Sequence, residues 1–256
     1  MSELRRALDF LTRADHGGTR REPFAYGTAF FDDRVPRRWD SNYLLVERLP
    51  EGVGAQDLAG KAERIQGSAG LRHRKVEVCD AALGARLEPG FRKLGWTVKR
   101  NVLMVLRRVR DRAPSDDLVR EVALDELREA RAEQLRTYEW AAEPEVADQL
   151  HAAKRYFPEL VETRFFAVVV AGRPVSWADL YLADGTAQIE DVATLESHRG
   201  HGFASAVVLR AAAEARLAGA DLIFLVADDE DWPKHLYRKL GFDELACVYE
   251  FQVAQA

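Results

Sequence analysis

The chain has 256 residues, 47% hydrophobic and 31% charged, with a formal net charge of −5, enough for one large or two modest domains. No apolar run approaches the roughly 20 residues of a membrane-crossing helix, and the opening MSELRRALDFL is too charged for a secretory signal, so a cytoplasmic protein with no membrane partner is expected. Cys79 and Cys247 stand far apart without His or Cys neighbours at ligand spacing, which argues against a disulfide framework or a zinc site; no metal is expected.

The charge is unevenly divided. Residues 1–112 hold 23 Lys+Arg against 15 Asp+Glu, and residues 113–256 hold 14 against 27. Halves of +8 and −13 either attract each other or each face an oppositely charged partner. The basic residues are scattered, with no single-face cluster beyond Arg107-Arg108-Val109-Arg110, so no nucleic-acid platform is expected.

In chain order, Leu4, Leu8 and Leu11 mark an amphipathic helix over 2–14, broken at His16-Gly17-Gly18. Phe24 to Phe31 reads as one aromatic strand and Asn42 to Glu47 as a second. The turn Pro50-Glu51-Gly52-Val53-Gly54 leads into a helix near 55–66, followed by a strand from Leu71 to Asp80 and a β-rich run from Val98 to Leu106. Arg110 to Asp117, with Ala113-Pro114-Ser115, is the best linker, dividing the chain into domains 1–112 and 113–256. Beyond it the patterns predict a strand at 118–124, helices at 125–138 and 144–156, and strands at 164–170, 175–182 and 187–194. Turn sequences separate these last three, as in an antiparallel meander.

The most informative stretch runs from Gln188 to Ala218. A strand ends in Arg199-Gly200-His201-Gly202, and from Phe203 the apolar positions Ala206, Val207, Leu209, Ala213 and Leu217 recur at helical spacing. A helix that starts just after Gly-x-Gly presents unpaired N–H groups and the positive end of its dipole, which suits a pyrophosphate. A dinucleotide-binding turn would want a third glycine where Ser205 stands. A second block follows: the apolar run from Asp221 to Ala227, then a short helix ending Leu236-Tyr237-Arg238-Lys239-Leu240-Gly241-Phe242.

Arg199, Gly202 and Ala204 match the Arg/Gln-x-x-Gly-x-Gly/Ala loop of the GNAT superfamily of N-acetyltransferases, and the second block resembles that family's L-Y-x-K-L-G-F signature. The resemblance covers about the C-terminal half. It implies an α/β (α+β) fold in which a mixed, mainly antiparallel sheet is flanked by helices in the order β-α-α-β-β-β-α-β-α-β. It also implies transfer of an acetyl group from acetyl-CoA, a co-substrate, to an amine acceptor. Carried over, it places Val192, Ala193 and Thr194 along the pantetheine arm. Arg199, Gly200, His201, Gly202, Phe203 and Ala204 fall around the pyrophosphate, with Asp231 on the far side of the cleft. Tyr237 stands where many members keep a tyrosine that protonates the thiolate. Glu190 or Asp191 is the candidate base; strand alternation should point them to opposite faces, which favours Glu190. Trp232-Pro233 departs from the family pattern, as does Ser197.

Phe91-Arg-Lys-Leu-Gly-Trp96 aligns without gaps on Tyr237-Arg-Lys-Leu-Gly-Phe242, 146 residues later, and the order strand, Gly-x-Gly, helix, strand, small helix recurs upstream of both. Such a repeat reads as a duplicated domain. The first copy is short, carries Glu51 where a phosphate would sit and has Phe91 in place of the tyrosine, so it is expected to bind no acyl-CoA. The expectation is therefore a tandem of two GNAT-like domains, the first degenerate, in a monomer or homodimer. An acyl-CoA-binding module without turnover is the alternative.

Overall fold

A computed structural model describes residues 1–15, 20–108, 118–141, 143–156 and 159–254. The proposed break at His16-Gly17-Gly18 and the linker Arg110 to Asp117 lie outside the described residues. The first half comprises α1 (Glu3–Asp15), β1 (Arg20–Phe24), β2 (Gly27–Phe31), β3 (Tyr43–Val46), α2 (Ala55–Ser68), β4 (His73–Val78), α3 (Ala81–Lys93) and β5 (Thr97–Leu106). The second comprises β6 (Arg120–Val122), α4 (Arg128–Leu135), α5 (Pro144–Ala153), β7 (Glu162–Val170), β8 (Arg173–Ala183), β9 (Thr186–Thr194), α6 (Phe203–Leu217), β10 (Leu222–Asp228), α7 (Pro233–Leu240) and β11 (Phe242–Ala254). From β6 onward this is the element order expected from the sequence. One expectation needs correcting: the aromatic run ending at Phe31 is not one strand. The backbone turns at Ala25-Tyr26, and β1 and β2 form a hairpin.

All strands join one sheet in the order β1-β2-β3-β4-β11-β5-β10-β9-β8-β7-β6. The arrangement is nearly symmetric about β11 and β5. The pairs β3/β4 and β9/β10 are parallel, and the remaining pairings are antiparallel. Each half gives its last strand to the other: β5 lies between β11 and β10, and β11 between β4 and β5. The six-residue repeat is visible at this junction. In both copies a helix ends at a glycine of positive φ, Gly95 at 78° and Gly241 at 104°, and the chain enters the exchanged strand. At Gly241 no side chain would fit, because an added Cβ would lie 2.0 Å from the Arg108 carbonyl oxygen.

The alternation of the strands sorts the cores. Ala29, Leu44, Val76 and Phe251 pack under α2 and α3, while Val102, Ile189, Ile223 and Leu225 pack against α6 and α7. On the opposite face, Leu103, Phe224 and Tyr181 meet Ala7 and Phe10 of α1. The charge asymmetry finds partners across the halves: Arg6 pairs with Asp221 at 2.6 Å, Arg37 with Glu143 at 2.8 Å, Arg100 with Glu230 at 2.7 Å and Arg108 with Asp243 at 2.8 Å. At least one partner in each pair is solvent-exposed, so each adds little stability. No helix of the described residues is long and apolar enough to cross a membrane.

Candidate active site

The parallel pairing of β9 with β10 runs only from Thr186/Leu222 to Ile189/Leu225. Beyond that point the strands part, because β10 continues against β5 as far as Asp228/Asn101 while β9 stays with β8. The edge of β9 from Glu190 onward is therefore left without a strand partner on its β10 side. A cavity of about 570 Å³ opens in the gap. Val192, Ala193 and Thr194 line one wall, Arg199, Gly200, Gly202, Phe203 and Ala204 the end, and Asp231 and Tyr237 the other wall. Of the expected cofactor residues only His201 is not among the lining; its ring stacks on Phe203 and its Nδ1 lies 2.9 Å from the Arg199 carbonyl oxygen.

Gly202 takes φ 78°, a left-handed conformation that glycine adopts without strain, and leads into α6 with no side-chain cap. The first N–H groups of α6 thus face the cavity with the positive end of the helix dipole behind them. Arg199 is exposed beside them, its Nε 3.4 Å from the Thr194 carbonyl oxygen. An uncapped helix start, an unpaired strand edge and a cleft of this size fit a phosphate-bearing chain such as coenzyme A.

A second cavity of about 460 Å³ adjoins the first and shares Gln134, Tyr138, Val192 and Ala193 with it. Glu190 and Asp191 both line it. This corrects the expected alternation. Asp191 has φ 52°, and the β8/β9 register shifts between the Trp177/Ala193 and Asp179/Glu190 pairs, so a bulge interrupts the period of two. The two acids nevertheless differ. Asp191 Oδ2 lies 3.2 Å from both Arg131 Nε and Lys154 Nζ; burial pushes its carboxyl up, but these cations outweigh it and leave it below the usual range. Glu190 Oε2 instead accepts from Gln188 Nε2 at 2.7 Å. Tyr237 is buried but for its cavity edge, and burial, then the charges of Glu190 and Asp231, raise its hydroxyl above the ordinary value, so it keeps its proton at neutral pH.

Several residues at the site were missed from the sequence. Asp179, fully buried, bonds Arg131 and Lys154, the latter at 2.6 Å, and accepts from the Tyr181 hydroxyl at 3.0 Å. A lone acid inside the apolar run Val175 to Leu182 was the available signal, since a buried carboxylate needs a cationic partner. Gln134 and Tyr138 carried no signal. Arg38, Asp40 and Lys99 of the first half also line the second cavity.

Among the described residues, the one group of acids close enough to hold a metal is Asp40, Glu77 and Glu250, with ligand atoms within 4.8 Å of one another. Lys75 Nζ already occupies that place, 2.5, 2.9 and 3.2 Å from the three.

Residues 129–242 match the model of the acetyltransferase (GNAT) family. The chain carries a GNAT domain. The matched span holds the glycine turn, the parted strands and Tyr237, and that family uses acetyl-CoA as its acyl donor. Among solved structures, a functionally unknown conserved protein from Staphylococcus epidermidis shares 17% identity at TM-score 0.69, over 93% of this chain and 95% of that one. A GCN5-related N-acetyltransferase from Kribbella flavida shares 21% at TM-score 0.62, over 97% and 93%. A tandem GNAT protein of the clavulanic acid biosynthesis pathway shares 12% at TM-score 0.56, over 91% and 81%. At these identities the likeness is one of fold, and it extends over both halves. No curated protein matches the chain.

Proposed function

We propose that the protein is an N-acetyltransferase that moves the acetyl group of acetyl-CoA to a primary amine, with the second half, 113–256, as the active unit and the first, 1–112, as a degenerate copy that binds no acyl-CoA. The observation that carries this reading is the convergence of the uncapped α6 turn, the free edge of β9 and Tyr237 on one cleft. Arg199 and the N–H groups following Gly202 would hold the pyrophosphate. Val192 to Thr194 would bond the pantetheine arm by their backbone, with Asp231 closing the cleft.

The acceptor cavity meets this cleft at Val192 and Ala193. The amine must lose one proton before attack, and Glu190, oriented by Gln188, would take it directly or through water. The nitrogen lone pair then bonds the thioester carbonyl carbon, the C–S bond breaks, the departing thiolate takes the proton of Tyr237, and the second proton, shed by the nitrogen as it becomes an amide, returns to Tyr237 through water. Asp191, already paired with Arg131 and Lys154, acts as a positioning residue that fixes the bulge presenting Glu190. Holding both substrates in reach supplies much of the rate.

Calorimetric titration with acetyl-CoA tests the reading. One-to-one binding is expected, lost in Arg199→Glu, while Tyr237→Phe keeps the affinity and lowers amine-dependent thiol release by about a hundredfold. Wild-type protein that binds no acetyl-CoA would overturn the proposal.

A further inference from the structure

A third cavity, of about 270 Å³, lies between α1 and the face of the central strands that α1 covers. It shares Arg38, Asp40 and Glu190 with the acceptor cavity, so the two are contiguous. Its polar lining is strongly acidic: Asp40, Glu77, Glu190, Asp228 and Glu250 are set against Arg38 and the buried Lys75.

Gln188 makes the independent case for a ligand. It lines the same cavity and is only 2% accessible. A carboxylate can only accept hydrogen bonds, so Glu190 Oε2 at 2.7 Å fixes which arm of the Gln188 amide faces it. The other arm, Oε1, is buried with no donor. A buried acceptor without a donor is costly, and an ammonium group supplies donors and positive charge together. The remaining wall includes Leu8, Leu11 and Val226, which suits methylene groups.

We infer that this cavity is the subsite for the distal ammonium of an alkyl diamine or polyamine acceptor, whose other amine lies beside Glu190 in the acceptor cavity. The inference rests on the acetyl-transfer reading and deepens it by giving the acceptor class. It also gives the first half a part in recognition, through Asp40 and Glu77, and makes the exchanged strand β11 contribute Glu250.

Calorimetry on the whole protein with 1,5-diaminopentane, spermidine and 1-aminopentane tests it. The diamine should bind at least about tenfold more tightly than the monoamine, and Asp228→Asn and Glu250→Gln should each weaken diamine binding by roughly tenfold while leaving the affinities for 1-aminopentane and acetyl-CoA unchanged. Thermal unfolding checks that each variant is folded; because Glu250 also pairs with Lys75, Asp228→Asn decides the matter if Glu250→Gln does not fold. A diamine bound no better than the monoamine, or diamine affinity unchanged in Asp228→Asn, overturns the inference. The amine titrations need no acetyl-CoA, so wild type that fails to bind acetyl-CoA while retaining diamine selectivity would sink only the acetyl-transfer reading.

Discussion

The turns ahead of α2 and α6 occupy equivalent places in two halves related through β11 and β5, and both contain Gly-x-Gly, but their backbones do different things. Gly54 is extended, at φ −128°, and its N–H donates to Asp57 Oδ2 at 3.0 Å, which fixes a carboxylate beside the helix start. Gly202 is left-handed, lacks a side-chain cap and faces a cavity. The same contrast holds at the repeated hexapeptide: Phe91 is fully buried, its ring stacked 4.1 Å from Phe251, whereas Tyr237 edges the cleft. An anion site therefore needs a helix start without a carboxylate held beside it and room in front of its N–H groups, and a glycine pattern supplies neither alone.

Each half also buries a charge cluster on the α1 side of the sheet, and here the largest effects are expected. Asp179 is fully buried between Arg131 and Lys154, so Asp179→Asn should cost about 3–5 kcal/mol in urea unfolding. Lys75→Met should cost less, because the acids it leaves keep some exposure and Glu77 can hold a proton. Equal costs would show that the clusters are equivalent.

Next in size is a swap at the two turns. Gly202→Asp places a carboxylate at the open helix start in a strained left-handed backbone and should weaken acetyl-CoA binding by at least about a hundredfold. Gly54→Asp, in an extended N-cap position that aspartate favours, should leave that affinity unchanged and raise stability by a few tenths of a kcal/mol. A similar loss of affinity in both would mean that the first turn binds the donor too.

The smallest effect concerns pH. Burial, ahead of the opposing pull of Lys75, pushes the Glu77 carboxyl up to about 8. Between its unfolded value near 4.5 and that point the folded protein binds the extra proton, so Glu77 stabilises the fold below about 4.5 and this contribution is lost as pH rises to 8. Glu77→Gln should make unfolding free energy less dependent on pH across that window; an unchanged slope would show that Glu77 is ionised throughout.

Much of this was legible because it was local. The run from Gln188 to Ala218 and the block around Tyr237 give the strand, turn and helix that build the donor cleft, and nine of the ten cofactor positions carried over from the family line it. The acids of β9 were found, but their geometry was not. A bulge at Asp191 depends on cations from α4 and the chain just past α5, which no window around residue 191 contains. Asp179 signalled itself as an acid among apolar residues, without naming its partners. Glu250 had no signal at all, since its importance comes from lying beside Lys75, 175 residues earlier. The exchange of β5 and β11 was equally hidden: an apolar strand pattern tells which face is buried, not which neighbour it joins.

That exchange bears on the order in which the molecule can assemble. β11 is made after the other ten strands, yet its 13 residues fill the middle of the sheet. Until they arrive, β4 and β5 each present a bare, half-apolar edge of the kind that recruits stray strands. The contacts that close the gap join residues up to about 180 positions apart, which makes closure a late and slow event. A nascent chain of this protein is thus exposed to mispairing for most of its synthesis, and two such chains could complete each other's sheets by trading the same strand.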